Sequence, residues 1–177
     1  MAKRREKVVK LPIAHWSHSS LIAFLRNPLA WHKRYVEKIY DTPRSPSAAV
    51  GSAGHKALEH FYSGAAKDIA TRLGLDYLRA VPDFELNFGK AKSRTAQKKK
   101  RLNMEADYLR AIGFYLAKAP RHKVIAVELR GTVPVEGLPL PLTAVSDLVI
   151  ESRLEPGAVD VIDHKFVDSF SKDGATK

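Results

Sequence analysis

Residues 121–166 read RHKVIAVELRGTVPVEGLPLPLTAVSDLVIESRLEPGAVDVIDHKF, and this stretch decides the fold. Before it, apolar residues recur every three or four positions. From Arg121 onward they alternate or run together, with β-branched types prominent. The change of period predicts three strands, at 123–135, 140–150 and 158–166. Glu136-Gly137-Leu138-Pro139 and Glu155-Pro156-Gly157 supply the turns between them. Connections this short join antiparallel neighbours, so the expected sheet is a β-meander.

Upstream of the sheet the chain reads as helical. Leu102, Ala106, Leu109, Ile112 and Leu116 are spaced by three and four and predict a helix over 102–118, stopped at Ala119-Pro120. Further helices are expected at 66–80, ended by Pro82, and at 48–62, where Val50, Gly54, Leu58 and Phe61 fall near one stripe. Ser17 has N-cap chemistry for a first helix carrying Leu21, Ile22, Phe24 and Leu25. Asn27-Pro28 ends that helix and opens a second with Leu29, Trp31, Tyr35 and Val36. Residues 41–47, with Pro43 and Pro46, are expected as a loop. Helices first and strands last is an α+β order. The expected organisation is a basic N-terminal arm at 1–16, one domain at 17–167, and a tail at 168–177 that is flexible or begins a missing C-terminal part. Within the domain, 17–120 is the helical part, with a basic loop at 90–101, and 121–167 is the sheet part.

Composition narrows the function. With 177 residues, 45% of them hydrophobic, the chain can bury the core of one domain. No apolar run approaches the roughly 18 residues that span a bilayer, and the N-terminus lacks a signal-peptide core. No membrane partner is therefore expected, and a cytoplasmic location is. The absence of cysteine excludes disulfides, zinc–thiolate sites, thiol catalysis and thiolate-held iron–sulfur clusters. The net charge of +11 is uneven: residues 1–101 carry 21 Lys and Arg against 8 Asp and Glu, and residues 102–177 carry 9 against 11. A basic first half suits a polyanion, because Lys and Arg displace counterions from phosphates. Its densest part holds Lys90, Lys92, Arg94, Lys98, Lys99, Lys100 and Arg101. These either grip nucleic-acid phosphates without reading sequence or form a solvated loop.

The acidic half has its own anomaly, since each expected strand is interrupted by a carboxylate. Glu128 lies in Val124-Ile-Ala-Val-Glu-Leu129, Asp147 in Ala144-Val-Ser-Asp-Leu-Val-Ile150, and Asp163 in Val161-Ile-Asp-His-Lys165. Residues two apart on a strand share a face, which sets Asp163 beside Lys165. If the last two strands pair around Glu155-Pro156-Gly157, Asp147 and Asp163 lie at comparable depth. Two carboxylates that close repel, and a hard divalent cation relieves the repulsion. Taken singly, Asp163 and Lys165 also read as an ion pair at a sheet edge, and Asp147 as a solvated strand end. His55, near Leu58 and Phe61, reads equally as a satisfied boundary histidine, although Gly51 and Gly54 would allow a backbone or substrate to approach.

Taken in order, these residues resemble the PD-(D/E)XK nuclease superfamily, and most closely its RecB-like and CRISPR-associated exonuclease branch. The matching elements are Val50-Gly-Ser-Ala-Gly-His55, Val127-Glu128, Ser146-Asp-Leu148 and Ile162-Asp-His-Lys165, preceded by Ser17-His-Ser-Ser-Leu21 through Phe24, Asn27-Pro28 and Tyr35. The resemblance implies a restriction-endonuclease-like α+β core and a metal-dependent deoxyribonuclease. It implies that His55, Asp147, Asp163 and the backbone carbonyl of His164 bind Mg²⁺ or Mn²⁺. Lys165 would position and help deprotonate the attacking water, and Glu128 would support the first ligands or hold a second metal ion.

The sequence also departs from that branch. Its relatives commonly hold an iron–sulfur cluster through four cysteines, and here Asn27 stands at one of those positions. The N-terminal helices are then expected to dock by packing, with Trp16, Phe24, Trp31 and Tyr35 as anchors. The family pattern also continues past Asp-x-Lys into a further helix and strands, so this core reads as truncated, and a second chain or self-association is expected to complete the sheet edge. The function expected is DNA exonuclease activity in recombination, repair or phage DNA processing. The alternative is a DNA-binding nuclease fold that is inactive without its missing part. A basic RNA-associated protein with no active site would leave the carboxylates unexplained.

Overall fold

The structure, a computed structural model, describes residues 11–166. The first ten residues of the expected basic arm and the expected tail at 168–177 lie outside the described residues. The elements are α1 (His18–Arg26), α2 (Pro28–Trp31), α3 (Pro46–Tyr62), α4 (Lys67–Ala80), α5 (Arg94–Ala117), β1 (Val124–Val133), β2 (Leu142–Glu151) and β3 (Val159–Ile162). The strands form one sheet in the order β1-β2-β3, with β3 antiparallel to β2, so the chain has the α+β meander expected of it.

The chain divides into two compact units, each contributed to by β1 and β2. One unit holds residues up to Asp41 together with Arg130–Val145. Here the Ser17 side chain accepts the Ser20 N–H while Ser20 returns a bond to the Ser17 backbone, which starts α1. Asn27 ends α1 and caps α2 through Ala30, with Pro28 in the first turn. The expected second helix is not α-helical throughout, because a π-helical turn takes over at His32–Val36. The four anchor rings pack together: Trp16 lies 5.7 Å from Phe24 and 5.4 Å from Trp31, and Trp31 lies 6.2 Å from Tyr35. The backbone of Trp16 bonds on either side of Leu142, to Pro141 and Thr143.

The other unit holds Thr42–Leu129 and the residues from Ser146 onward. Ser45 caps α3 through the Ala48 N–H, with Pro46 opening the helix. Ala49, Ala53 and Ala57 recur every four residues and are fully buried. Their small size lets α4 come close: a Cβ added to Gly74 would lie 2.6 Å from the Ala53 carbonyl oxygen and 2.9 Å from the Ala57 Cβ. Tyr108 of α5, also fully buried, closes the core, and its hydroxyl donates to the Thr71 carbonyl at 2.7 Å.

The basic segment corrects one expectation. Only residues 90–93 of the expected loop are non-helical, because α5 begins at Arg94, eight residues before the apolar stripe does. Ser93 accepts the Ala96 N–H as N-cap, and Ala, Gln, Lys and Arg are strong helix formers that need no buried face to be helical. The third strand is shorter than the expected 158–166, ending at Ile162 just before the Asp-x-Lys segment.

Candidate metal centre

Three elements of one unit converge on a small cleft. His55, Glu59 and Tyr62 stand four and three residues apart on α3 and therefore share a face. This face, together with Leu58, lines a cleft with Glu128 of β1, Asp147 of β2 and His164. Ligand-type atoms of His55, Glu128 and Asp147 all lie within 4.8 Å of one another. His55 Nδ1 is 3.2 Å from Asp147 Oδ2, and the side chain of Asp147 is only 15% exposed.

Glu128 reaches this cleft by a backbone device. Glu151 donates to the Lys123 carbonyl, a register that sets Val127, not Glu128, opposite Asp147. In a regular strand Glu128 would then point to the other face. Its φ of 51° places it in the left-handed region, as in a β-bulge, and turns the carboxylate toward Asp147. Partial desolvation first, and then the charges of Asp147 and Glu59, raise the Glu128 carboxyl above the usual carboxylate range. His55 and Lys56 oppose this.

The loop after β3 supplies the other wall. The ladder pairs Val149 with Val161 and Leu148 with Ile162 and ends there, so Asp163 and His164 follow directly after the last pair. The backbone N–H of His164 donates to Asp147 Oδ2 at 2.7 Å. The His164 side chain is 10% exposed, and burial depresses its basicity. Its Nε2 is 3.1 Å from the Tyr115 hydroxyl, which is 2.5 Å from that of Tyr62. Gly54 leaves room for the Phe166 ring, which a Cβ would overlap. What approaches the α3 glycines is thus a side chain from the segment after Asp-x-Lys, not the backbone or substrate the sequence suggested.

Asp163 and Lys165 are not drawn into the three-residue cluster. They pair with each other at 2.6 Å, with side chains 58% and 61% exposed, and the bond to Asp163 raises the Lys165 ammonium. Sequence reasoning set Glu59 aside as a surface residue and passed over Tyr62, at the cleft, and Tyr115, behind His164. Glu59 carries a signal, four positions after His55 on a helix; Tyr62 continues that face, while Tyr115 is brought in only by the packing of α5. Of the basic residues, Lys90, Lys92, Arg94, Lys98, Lys99 and Lys100 are exposed. Arg101 is engaged at the end of α4, bonding Asp83 at 2.7 Å, the Leu78 carbonyl at 3.2 Å and the Val81 carbonyl.

The donor set fits a hard divalent cation: two carboxylates and an imidazole converge where the carboxylates alone would repel. Among the described residues, no helix is long and apolar enough to cross a membrane. No curated protein and no solved structure matches the chain. A family model does match, over residues 15–173, and it is that of the PD-(D/E)XK nuclease superfamily.

Proposed function

The chain belongs to the PD-(D/E)XK nuclease superfamily, and from that premise we propose that it is a Mg²⁺- or Mn²⁺-dependent DNA exonuclease of the RecB-like branch, built without an iron–sulfur cluster. It would act in the cytoplasm in recombination, repair or phage DNA processing. The observation that carries this reading is the convergence of His55, Glu128 and Asp147 within 4.8 Å. These three, with Asp163 and the His164 carbonyl, are the residues that would hold the cation. A divalent cation held by these residues would supply Lewis acidity to a phosphoryl oxygen and to the attacking water.

The chain's own groups do the rest. Asp147 is oriented through Oδ2, which accepts the His164 N–H and lies 3.2 Å from His55 Nδ1. Asp163 and Lys165 form a solvent-facing ion pair, and such pairs are weak enough to give way when a phosphate arrives. Lys165 then orients the water and offsets charge that develops only in the transition state. Lys90, Lys92, Arg94, Lys98, Lys99 and Lys100 hold the DNA backbone. Arg101 is assigned with them, although its guanidinium also closes α4.

The exposed Asp163–Lys165 pair also favours a second reading. In it the fold grips DNA but cuts only when a second chain, or another copy, adds to the β3 edge and turns Asp163 inward.

The test is cleavage of end-labelled linear and closed circular DNA with Mg²⁺, Mn²⁺ or EDTA. Loss of the linear form alone, dependent on metal and abolished in Lys165→Ala and Asp147→Asn, is the expected result. Cleavage that persists in Lys165→Ala rejects the assignment. Salt-sensitive DNA binding with no cleavage under any metal selects the second reading.

A further inference from the structure

We infer that Tyr115, backed by Tyr62, is a positioning residue for the Asp147 carboxylate and acts through His164. The inference rests on the proposed role of Asp147 as a cation ligand. β3 ends at Ile162, so the sheet ladder does not hold the peptide of His164. Yet that peptide donates to Asp147 Oδ2 at 2.7 Å. What fixes it is the His164 ring. The Tyr115 hydroxyl lies 3.1 Å from Nε2 and Tyr115 packs edge-on to the imidazole at 5.5 Å, while Tyr62 stacks on it at 5.8 Å. The two phenols, 2.5 Å apart, come from the last turns of α3 and α5, helices joined through the Ala53–Tyr108 core. Two rigid helices thus set the ring, the ring sets a peptide outside the ladder, and the peptide sets the carboxylate.

Hydrogen bonds behind a metal ligand matter because a carboxylate that wanders by a fraction of an ångström loses both affinity and chemistry. The middle residue of Asp-x-Lys carries this duty here because its side chain can accept or donate at Nε2 while its main chain serves Asp147.

The experiment uses the full chain and free Mn²⁺, followed by electron paramagnetic resonance, beside steady-state DNA cleavage and thermal unfolding. Tyr115→Phe is expected to weaken Mn²⁺ binding about ten-fold. It should lower kcat with little change in KM for DNA, and move Tm by no more than about 3 °C. Tyr62→Phe shifts Mn²⁺ affinity the same way by less, and Tyr115→Phe adds nothing in a His164→Ala background. Wild-type Mn²⁺ affinity in both tyrosine variants, beside weakened binding in Asp147→Asn, overturns this inference alone. So does a Tyr115→Phe loss that persists undiminished without the His164 ring. A wild-type chain whose Mn²⁺ binding is absent, or unaffected by Asp147→Asn, overturns the metal assignment and the inference together.

Discussion

Glu128 sits inside β1 with φ of 51°, a left-handed backbone that crowds Cβ and costs about 1–2 kcal/mol in any residue but glycine. Its carboxylate also faces Asp147 and Glu59. Because its pKa is raised in the folded state, the folded chain binds that proton more tightly than the unfolded one. The resulting stability is fully present below the ordinary glutamate value of about 4.3 and is lost as pH rises through the raised value. In EDTA, Glu128→Gln should therefore raise Tm at neutral pH and give no gain near pH 4. Glu128→Gly should gain about 1 kcal/mol more at either pH, roughly 3 °C, by relaxing the backbone. Both variants should bind Mn²⁺ more weakly. Melting curves across this range check the sign; a Glu128→Gly protein that melts below wild type would remove strain from the account. The strain also explains why Glu128 was only partly legible. Its presence among apolar neighbours marked it, but alternation alone aims it away from Asp147, and nothing in the letters signals a left-handed residue that is not glycine. His55 and Asp147 lie on regular elements, yet spacing alone leaves His55 as a boundary histidine and Asp147 open to reading as a solvated strand end; it is the resemblance to the family that sets the two at one site.

The two glycines on α4 and α5 make opposite demands on otherwise similar helices. A Cβ at Gly74 would meet the Ala53 carbonyl oxygen at 2.6 Å, whereas one at Gly113 meets nothing within 4 Å. Gly74→Ala should destabilise by about 1–3 kcal/mol, because overpacking against backbone outweighs the gain in helix propensity. Gly113→Ala should stabilise by up to about 1 kcal/mol. Denaturant midpoints for the pair test the packing of α3 against α4, and equal shifts in the two would contradict it. The same elements show what the sequence made legible. Apolar periodicity located α3, α4 and the three strands, since burial of one face is what produces that pattern. It missed the first two turns of α5, whose basic residues are helical by propensity and capping with no buried stripe, and it overran β3, whose pattern continues past the last ladder pair. The π-helical turn at His32–Val36 leaves no periodic trace at all.

For the whole chain, the net charge of +11 turns on how the basic residues divide between holding the fold and holding a polyanion. Arg101 serves the fold as well as the proposed DNA grip: its bonds to the Leu78 and Val81 carbonyls satisfy the end of α4, where no later turn can. Lys98, Lys99 and Lys100, one turn earlier on α5, are exposed, and among the described residues none forms an ion pair with an acid of α4 or α5. Arg101→Ala should therefore lose about 1–2 kcal/mol of stability. The triple change of Lys98, Lys99 and Lys100 to Ala should leave stability within about 0.5 kcal/mol of wild type. On DNA the triple variant should bind more weakly at every sequence and lose roughly 2–3 from the slope of log affinity against log salt, if all three lysines neutralise phosphates. Fluorescence anisotropy with a labelled duplex between about 50 and 200 mM salt measures that slope. An unchanged slope would make the α5 lysines a solvated helical face and move the DNA path to the basic residues elsewhere in the first hundred. A reduced slope with cleavage per bound complex intact would separate grip from chemistry, as expected if the lysines only hold the backbone while His55, Glu128 and Asp147 do the cutting.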